Sequence, residues 1–211
     1  MDGIGPETYI GSACLLMGDA GLILEVQKPH KWRQRDDGHL AIGLGCIGGT
    51  VEEGEGPVEA LQREAEEEIG CHIELRSAGN TWEVDPKGGA RKRAWSLGGP
   101  RPILLWQGRG PGYVEDAKVA VYLGRPGGQP KPRDLPAIVT VGLRKVLDLS
   151  WQPQSVAEMV AGGAELQQRE AIPPSALLTL EGTLGVLAGM QGAHRGVCDR
   201  ILAEVEGMEE I

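Results

Sequence analysis

Glu64, Glu67 and Glu68 are the side chains whose type and spacing most directly imply chemistry in this chain. Carboxylates this close repel one another, and the i, i+4 pair Glu64 and Glu68 weakens a bare helix by a few tenths of a kcal/mol. A hard divalent cation, Mg²⁺ or Mn²⁺, reverses that sign, because it takes oxygen ligands and tolerates retained waters. On a helical wheel of roughly 100° per residue, the three acids fall on a flank away from the apolar stripe Val58, Leu61, Ala65 and Ile69, with Glu66 left to solvent. Arg63 stands where it can pair with Glu67 one turn on. A run of acids alone reads as a solvated helix face. Two features separate this run from that reading: the Gly48-Gly49 pair just ahead of the helix, and Glu64 one turn before Glu68 on the same flank.

The helix that must carry these acids is well punctuated. Pro57 suits the first helical position, where a missing N–H costs nothing. Gly56 is an acceptable N-cap, Glu55 and Glu59 bring negative charge to the positive end of the dipole, and Gly70 can end the helix left-handed. Read as a whole, Gly49 to Cys71 resembles the Nudix box, G-x5-E-x7-R-E-U-x-E-E-x-G-U with U apolar. Gly49, Glu55, Arg63, Glu64, Glu67, Glu68 and Gly70 fill the fixed places, and Ala65 and Cys71 fill the apolar ones.

The resemblance implies a Nudix-type α/β/α sandwich with a mixed sheet, and a hydrolase that cuts the pyrophosphate of nucleoside diphosphate derivatives with Mg²⁺ or Mn²⁺. It implies that Glu64, Glu67 and Glu68 ligate the metal together with the carbonyl of Gly49. In the same reading Arg63 orients a glutamate and Glu55 steadies the junction of loop and helix. The general base in such enzymes is a box glutamate or one from a later loop, for which Glu115 and Asp116 are the candidates. Substrates of the nucleoside diphosphate sugar and nucleoside triphosphate types both fit. Two other classes stay open: a nucleotide-binding regulator without turnover, and an isomerase of isoprenoid diphosphates, which would need a cysteine and a glutamate facing the reacting carbon. Cys46 and Cys71 lie near the box.

Around the box the pattern is α/β. Strands are expected at Thr8 to Met17 and Leu22 to Val26 as a hairpin, and at Ala41 to Ile47 running into a Gly48-Gly49 turn. Further strands are expected at Cys71 to Leu75, Ile103 to Trp106, Ala117 to Leu123 and Ala137 to Val141, with loops over 85–101, 108–112 and 124–135. From about Ser155 the texture predicts helices at Val156 to Arg169, Ser175 to Met190 and Ala193 to Glu206, the first two parted by Pro173-Pro174. The expected organisation is a hydrolase domain over 1–150 and a helical extension over 151–211, packed on the core or at a homodimer interface.

Composition sets the outer bounds. The 211 residues carry a formal net charge of −9, which argues against binding extended nucleic acid. No apolar run is long enough to span a bilayer and the N-terminus has no basic-then-apolar signal, so a cytoplasmic protein without membrane contact is expected. The scattered Cys14, Cys46, Cys71 and Cys198 read as reduced core residues. Two basic clusters could reach substrate phosphates: Lys28, His30, Lys31, Arg33 and Arg35 before the box, and Lys87, Arg91, Lys92 and Arg93 after it. Trp32, Trp82, Trp95 and Trp106 are candidates for stacking on a base.

Overall fold

The computed structural model describes residues 8–85, 87–95, 98–107 and 117–208. Strands β1 (Tyr9–Gly18) and β2 (Gly21–Val26) form the expected hairpin, followed by the short β3 (Arg33–Gln34) and by β4 (Leu40–Thr50). Helix α1 (Pro57–Ile69) comes next, then β5 (Ile73–Arg76), β6 (Thr81–Val84), β7 (Ala90–Arg93), β8 (Leu104–Gln107), β9 (Lys118–Pro126) and β10 (Ala137–Val141). The chain closes with α2 (Leu143–Asp148), α3 (Val156–Ala161), β11 (Glu165–Gln168), β12 (Leu177–Leu180), α4 (Gly182–Ala193) and α5 (Arg195–Glu206). The described strands join one mixed sheet whose main path runs β11-β10-β2-β4-β1-β9-β8-β6-β7. β1 and β9 pair in parallel at its centre, while β3 and β12 add to β4 and β5 adds to β9.

Strand alternation sorts the core into two layers. On one face Cys14, Leu16, Ile47, Tyr122 and Ile138 meet Leu61, Ala65 and Ile69 of α1. On the other face Leu15, Leu24, Leu44 and Val121 meet Leu184 and Leu187 of α4 and Ile201 and Val205 of α5. An α/β/α sandwich results, as the apolar periodicities require. All four cysteines are buried and unbridged. Among the described residues no helix is long and apolar enough to cross a membrane.

The structure departs from the periodicity reading in several places, among them β7 (Ala90–Arg93), which forms within the expected loop over 85–101 by pairing with β6. β4 does not turn at Gly48-Gly49 but continues to Thr50, because Gly11 to Cys14 of β1 pair with Ile47 to Thr50 and carry the ladder on. The first two expected C-terminal helices are each partly strand. α3 ends at Ala161, and Glu165–Gln168 pairs antiparallel with Ala137–Thr140 of β10. Leu177–Leu180 pairs in parallel with Ala41–Leu44 of β4, and helix resumes only at Gly182. Pairing with an exposed strand edge overrides the helix propensity of Glu, Leu and Gln, and a short apolar run such as Leu177–Leu180 suits either state.

An ion cluster around the buried Glu83 braces the far end of the sheet. The Glu83 carboxylate lies 2.8 Å from each of Arg91, Arg93 and Lys118. Burial alone would raise its carboxyl, but hydrogen bonds from Lys118 and Arg91 outweigh this and hold it at about 2. The stabilisation is therefore complete above the ordinary carboxyl value of 4.5 and lost as pH falls toward about 2. Glu83→Gln is expected to cost about 3 kcal/mol at pH 7 by urea denaturation. The gap from the unmodified protein should close as the pH is lowered through that window.

Candidate active site

Helix α1 is fixed at both ends before any acid is considered. At its start the Glu59 carboxylate accepts a hydrogen bond of 2.7 Å from the Gly56 N–H. At its end Gly70 adopts a left-handed conformation with φ 70°, and the N–H groups of Lys131, Arg133 and Asp134 donate to the carbonyls of Ile69, Glu68 and Glu67. The loop read from sequence only as Gly, Pro and charge thus satisfies the terminal carbonyls that a helix leaves open. Gln62 adds a two-way bond to the Ile73 backbone, 2.7 Å as donor and 2.8 Å as acceptor.

Arg63 ties this helix to the segment before it. Its Nε and Nη2 grip both oxygens of Glu55 at 2.8 and 3.1 Å. Nη2 also donates to the Thr50 carbonyl at 3.0 Å, and Nη1 donates to Glu64 Oε1 at 3.0 Å. Glu67, the partner expected from spacing, is reached at 3.5 Å as a weaker contact. These carboxylates raise the Arg63 pKa, and the same fork holds Glu55 below the usual carboxylate range.

The three acids do not share one flank. Glu64 is half-buried, the Glu67 side chain is 54% exposed, and Glu68 is buried at 5% exposure. Glu68 falls three residues after Ala65 and beside Ile69, so it faces the sheet with the apolar stripe, and its Oε2 accepts from the Gly48 N–H at 3.2 Å. Glu66 is exposed, as expected. Burial, then the charge of a neighbouring carboxylate, raises the Glu68 pKa well above the ordinary range. That neighbour is Glu25 of β2, hydrogen-bonded to Glu68 and itself raised mainly by burial. Sequence reasoning missed Glu25. The signal was a lone charge in the apolar run Leu22 to Val26, at a strand position that faces α1.

Glycines in β4 make room for these groups. A Cβ on Gly49 would stand 2.2 Å from Glu64 Oε1, and one on Gly45 would stand 2.4 Å from Glu25 Oε1. The strand therefore forms a floor with no side chains under the two carboxylates. A cleft of about 600 Å³ opens over that floor, reaching Gly48, Gly49 and Glu25 and walled by Trp106, Glu181 and Thr183. Trp106 Nε1 donates to Thr183 Oγ1 at 3.1 Å, holding the start of α4 against the cleft. The donors here are oxygens. Among the described residues no three His, Cys, Asp or Glu side chains converge closely enough to hold a metal as they stand.

The two basic clusters have different surroundings. Lys31 lines the cleft, and with Arg33 and Arg35 it also lines an adjoining cavity of about 640 Å³ that shares Gln27 and Glu181. Arg91 and Arg93 instead pair with Glu83 in the ion cluster. Trp106 is the tryptophan that lines the cleft, whereas Trp32 bonds the Gln27 carbonyl and Trp82 lies under Arg200. Glu115 and Asp116 lie outside the described residues. Burial raises the Cys46 thiol, with the Glu25 charge adding to it, which disfavours a reactive thiolate there.

A family model for the NUDIX domain matches residues 10–153. No curated protein matches the sequence. Among solved structures the chain is similar to the E. coli ORF135 protein at 17% identity, covering 69% of this chain and 81% of that one with a TM-score of 0.40. It is also similar to a NUDIX family hydrolase from Clostridium perfringens at 14% identity, covering 66% and 83% with a TM-score of 0.41. A nudix hydrolase family member from Chromobacterium violaceum is 15% identical over 97% of this chain and 99% of that one, with a TM-score of 0.36.

The Arg63 fork has a direct test. Arg63→Lys keeps the charge but cannot grip Glu55 with two parallel bonds. Amide hydrogen exchange is expected to speed up over residues 50–56, with exchange in β1 and β9 unchanged. Equal protection of that segment in both proteins would show that the fork does not order it.

Proposed function

As this chain belongs to the NUDIX domain family, we propose that it is a divalent-metal-dependent hydrolase of nucleoside diphosphate derivatives, cutting within the pyrophosphate. The observation that carries this reading is the placement of Glu64 and Glu68 against Gly49 and Gly48 at the head of the cleft. The donor set fits Mg²⁺ or Mn²⁺, being carboxylate and carbonyl oxygen without nitrogen or sulfur. Glu64, Glu67, Glu68 and the Gly49 carbonyl would hold the ion. When bound, the ion would offset the diphosphate charge and lower the pKa of a water.

The chain's own residues supply the rest. Arg63 holds the Glu64 carboxylate in one orientation, so the site does not have to order it when substrate arrives. Glu55 takes the other side of the guanidinium and keeps the Thr50 to Gly56 segment against the helix. A glutamate of α1 accepts the proton of the attacking water, with Glu115 and Asp116 as the alternative acceptors. Lys31, Arg33 and Arg35 line the path leading away from the acids and suit the phosphate or terminal group beyond the scissile bond. The intact acid set favours turnover over binding alone. The buried, unactivated Cys46 gives no support to isomerase chemistry.

Incubation with nucleoside diphosphate sugars, dinucleoside polyphosphates and nucleoside triphosphates plus Mg²⁺, with products identified by mass, tests the reading. Cleavage within the pyrophosphate of at least one class is expected, and no cleavage of any class would overturn it. Glu68→Gln is expected to lower kcat by at least about 100-fold with the fold retained by circular dichroism. Unchanged turnover would remove Glu68 from the machinery.

A further inference from the structure

Outside the box, two polar side chains occupy positions that the fold alone would fill with apolar ones. On β2, Leu22, Leu24 and Val26 join the core facing α4 and α5, and Ile23 joins the core facing α1. Glu25 has the parity of Ile23 and so lies on the α1 side, where its carboxylate meets Glu68. Its register partner across the sheet is Gly45, which leaves the space that the Glu25 carboxylate fills. Lys28 and Lys31 act on Glu25 at longer range, and the Lys28 ammonium is paired with Asp134.

The second side chain is Ser12 of β1. It shares the parity of Cys14 and Leu16, which face α1, and its register partner is Gly49, over which the Glu64 carboxylate sits. Ser12 is 2% exposed and lines the same cleft as Glu25. Among the described residues its Oγ has no hydrogen-bond partner. A buried hydroxyl without a partner is costly, and an alanine would fit the strand without that cost. Its placement makes sense if a bound ion, or water held by that ion, supplies the missing partner.

We propose that Glu25 is a further carboxylate of the cation site, facing Glu68 from β2, and that the Ser12 hydroxyl completes the ring of oxygens between β1 and α1. The proposal rests on the metal-dependent reading above and extends it from the box helix to the strands beneath. The site then has walls on two sides: α1 brings Glu64 and Glu68, while β2 and β1 bring Glu25 and Ser12. Mg²⁺ and Mn²⁺ are the chemical class that such hard oxygen donors select.

The test is Mn²⁺ binding to the full chain, followed by electron paramagnetic resonance without substrate. Glu25→Gln keeps the shape and removes the charge, and is expected to weaken Mn²⁺ binding by about 10-fold or more. Gly45→Ala leaves every charge in place but puts a methyl group where the Glu25 carboxylate lies, and should weaken binding in the same direction. In the absence of metal, Glu25→Gln should melt no lower than the unmodified protein, while the rise in melting temperature on adding Mn²⁺ shrinks. If both variants bind Mn²⁺ like the unmodified protein while Glu68→Gln does not, the role of Glu25 is overturned and the hydrolase reading stands. If the unmodified protein binds no Mn²⁺, both fall together.

Discussion

Glu55, Glu64 and Glu67 crowd one side of α1, and the Arg63 guanidinium is the interaction that makes the crowding tolerable. Its planar set of donors engages Glu55 with two bonds, Glu64 with a third and the Thr50 carbonyl with a fourth. A point charge would offset the repulsion but could not fix three partners at once. Through Arg63 the end of β4, the segment before the helix and the Glu64 carboxylate move as one piece. The helix is secured independently by the loop over 131–134 and by Gln62, so the site's geometry is set from both sides of α1.

β4 has the complementary role of giving space. Four of its eleven residues are glycine. The positions turned toward α1 and the cleft are Ala41, Gly43, Gly45, Ile47 and Gly49, of which only Ile47 sends a large side chain under the helix. Glycine in a strand interior weakens it by roughly 0.5–1 kcal/mol relative to alanine. Here the loss makes a trough that leads from the acids past Gln27 and Lys31 toward Arg33 and Arg35. The other face of the strand, with Ile42, Leu44 and Cys46, compensates by packing into the larger core.

The helix and its acids were legible in the sequence because their signals are local: Pro57, Gly70 and the spacing of Arg63 from Glu64 and Glu67 all act within a few turns. The orientation of Glu68 was not, since a wheel places it at the margin of the stripe and only the sheet decides which side of that margin is buried. The pairing of Glu25 with Glu68 joins residues far apart in sequence, as does that of Glu83 with Lys118. No periodicity reports such contacts. The same limit explains β11 and β12, whose residues suit a helix and become strands because β10 and β4 offer them unpaired edges.

That last pairing gives the C-terminal segment a protective duty. β12 covers the backbone of Ala41 to Leu44 on the side where β1 has not yet begun to pair, and α4 then crosses to Trp106. A chain shortened before β12 would leave this row of N–H and C=O groups open on a smooth, glycine-rich strand. Such an edge is a template for another chain to add itself. Covering that edge falls to β12, and walling the cleft falls to Glu181 and Thr183 directly after it, so one short stretch of chain serves both ends.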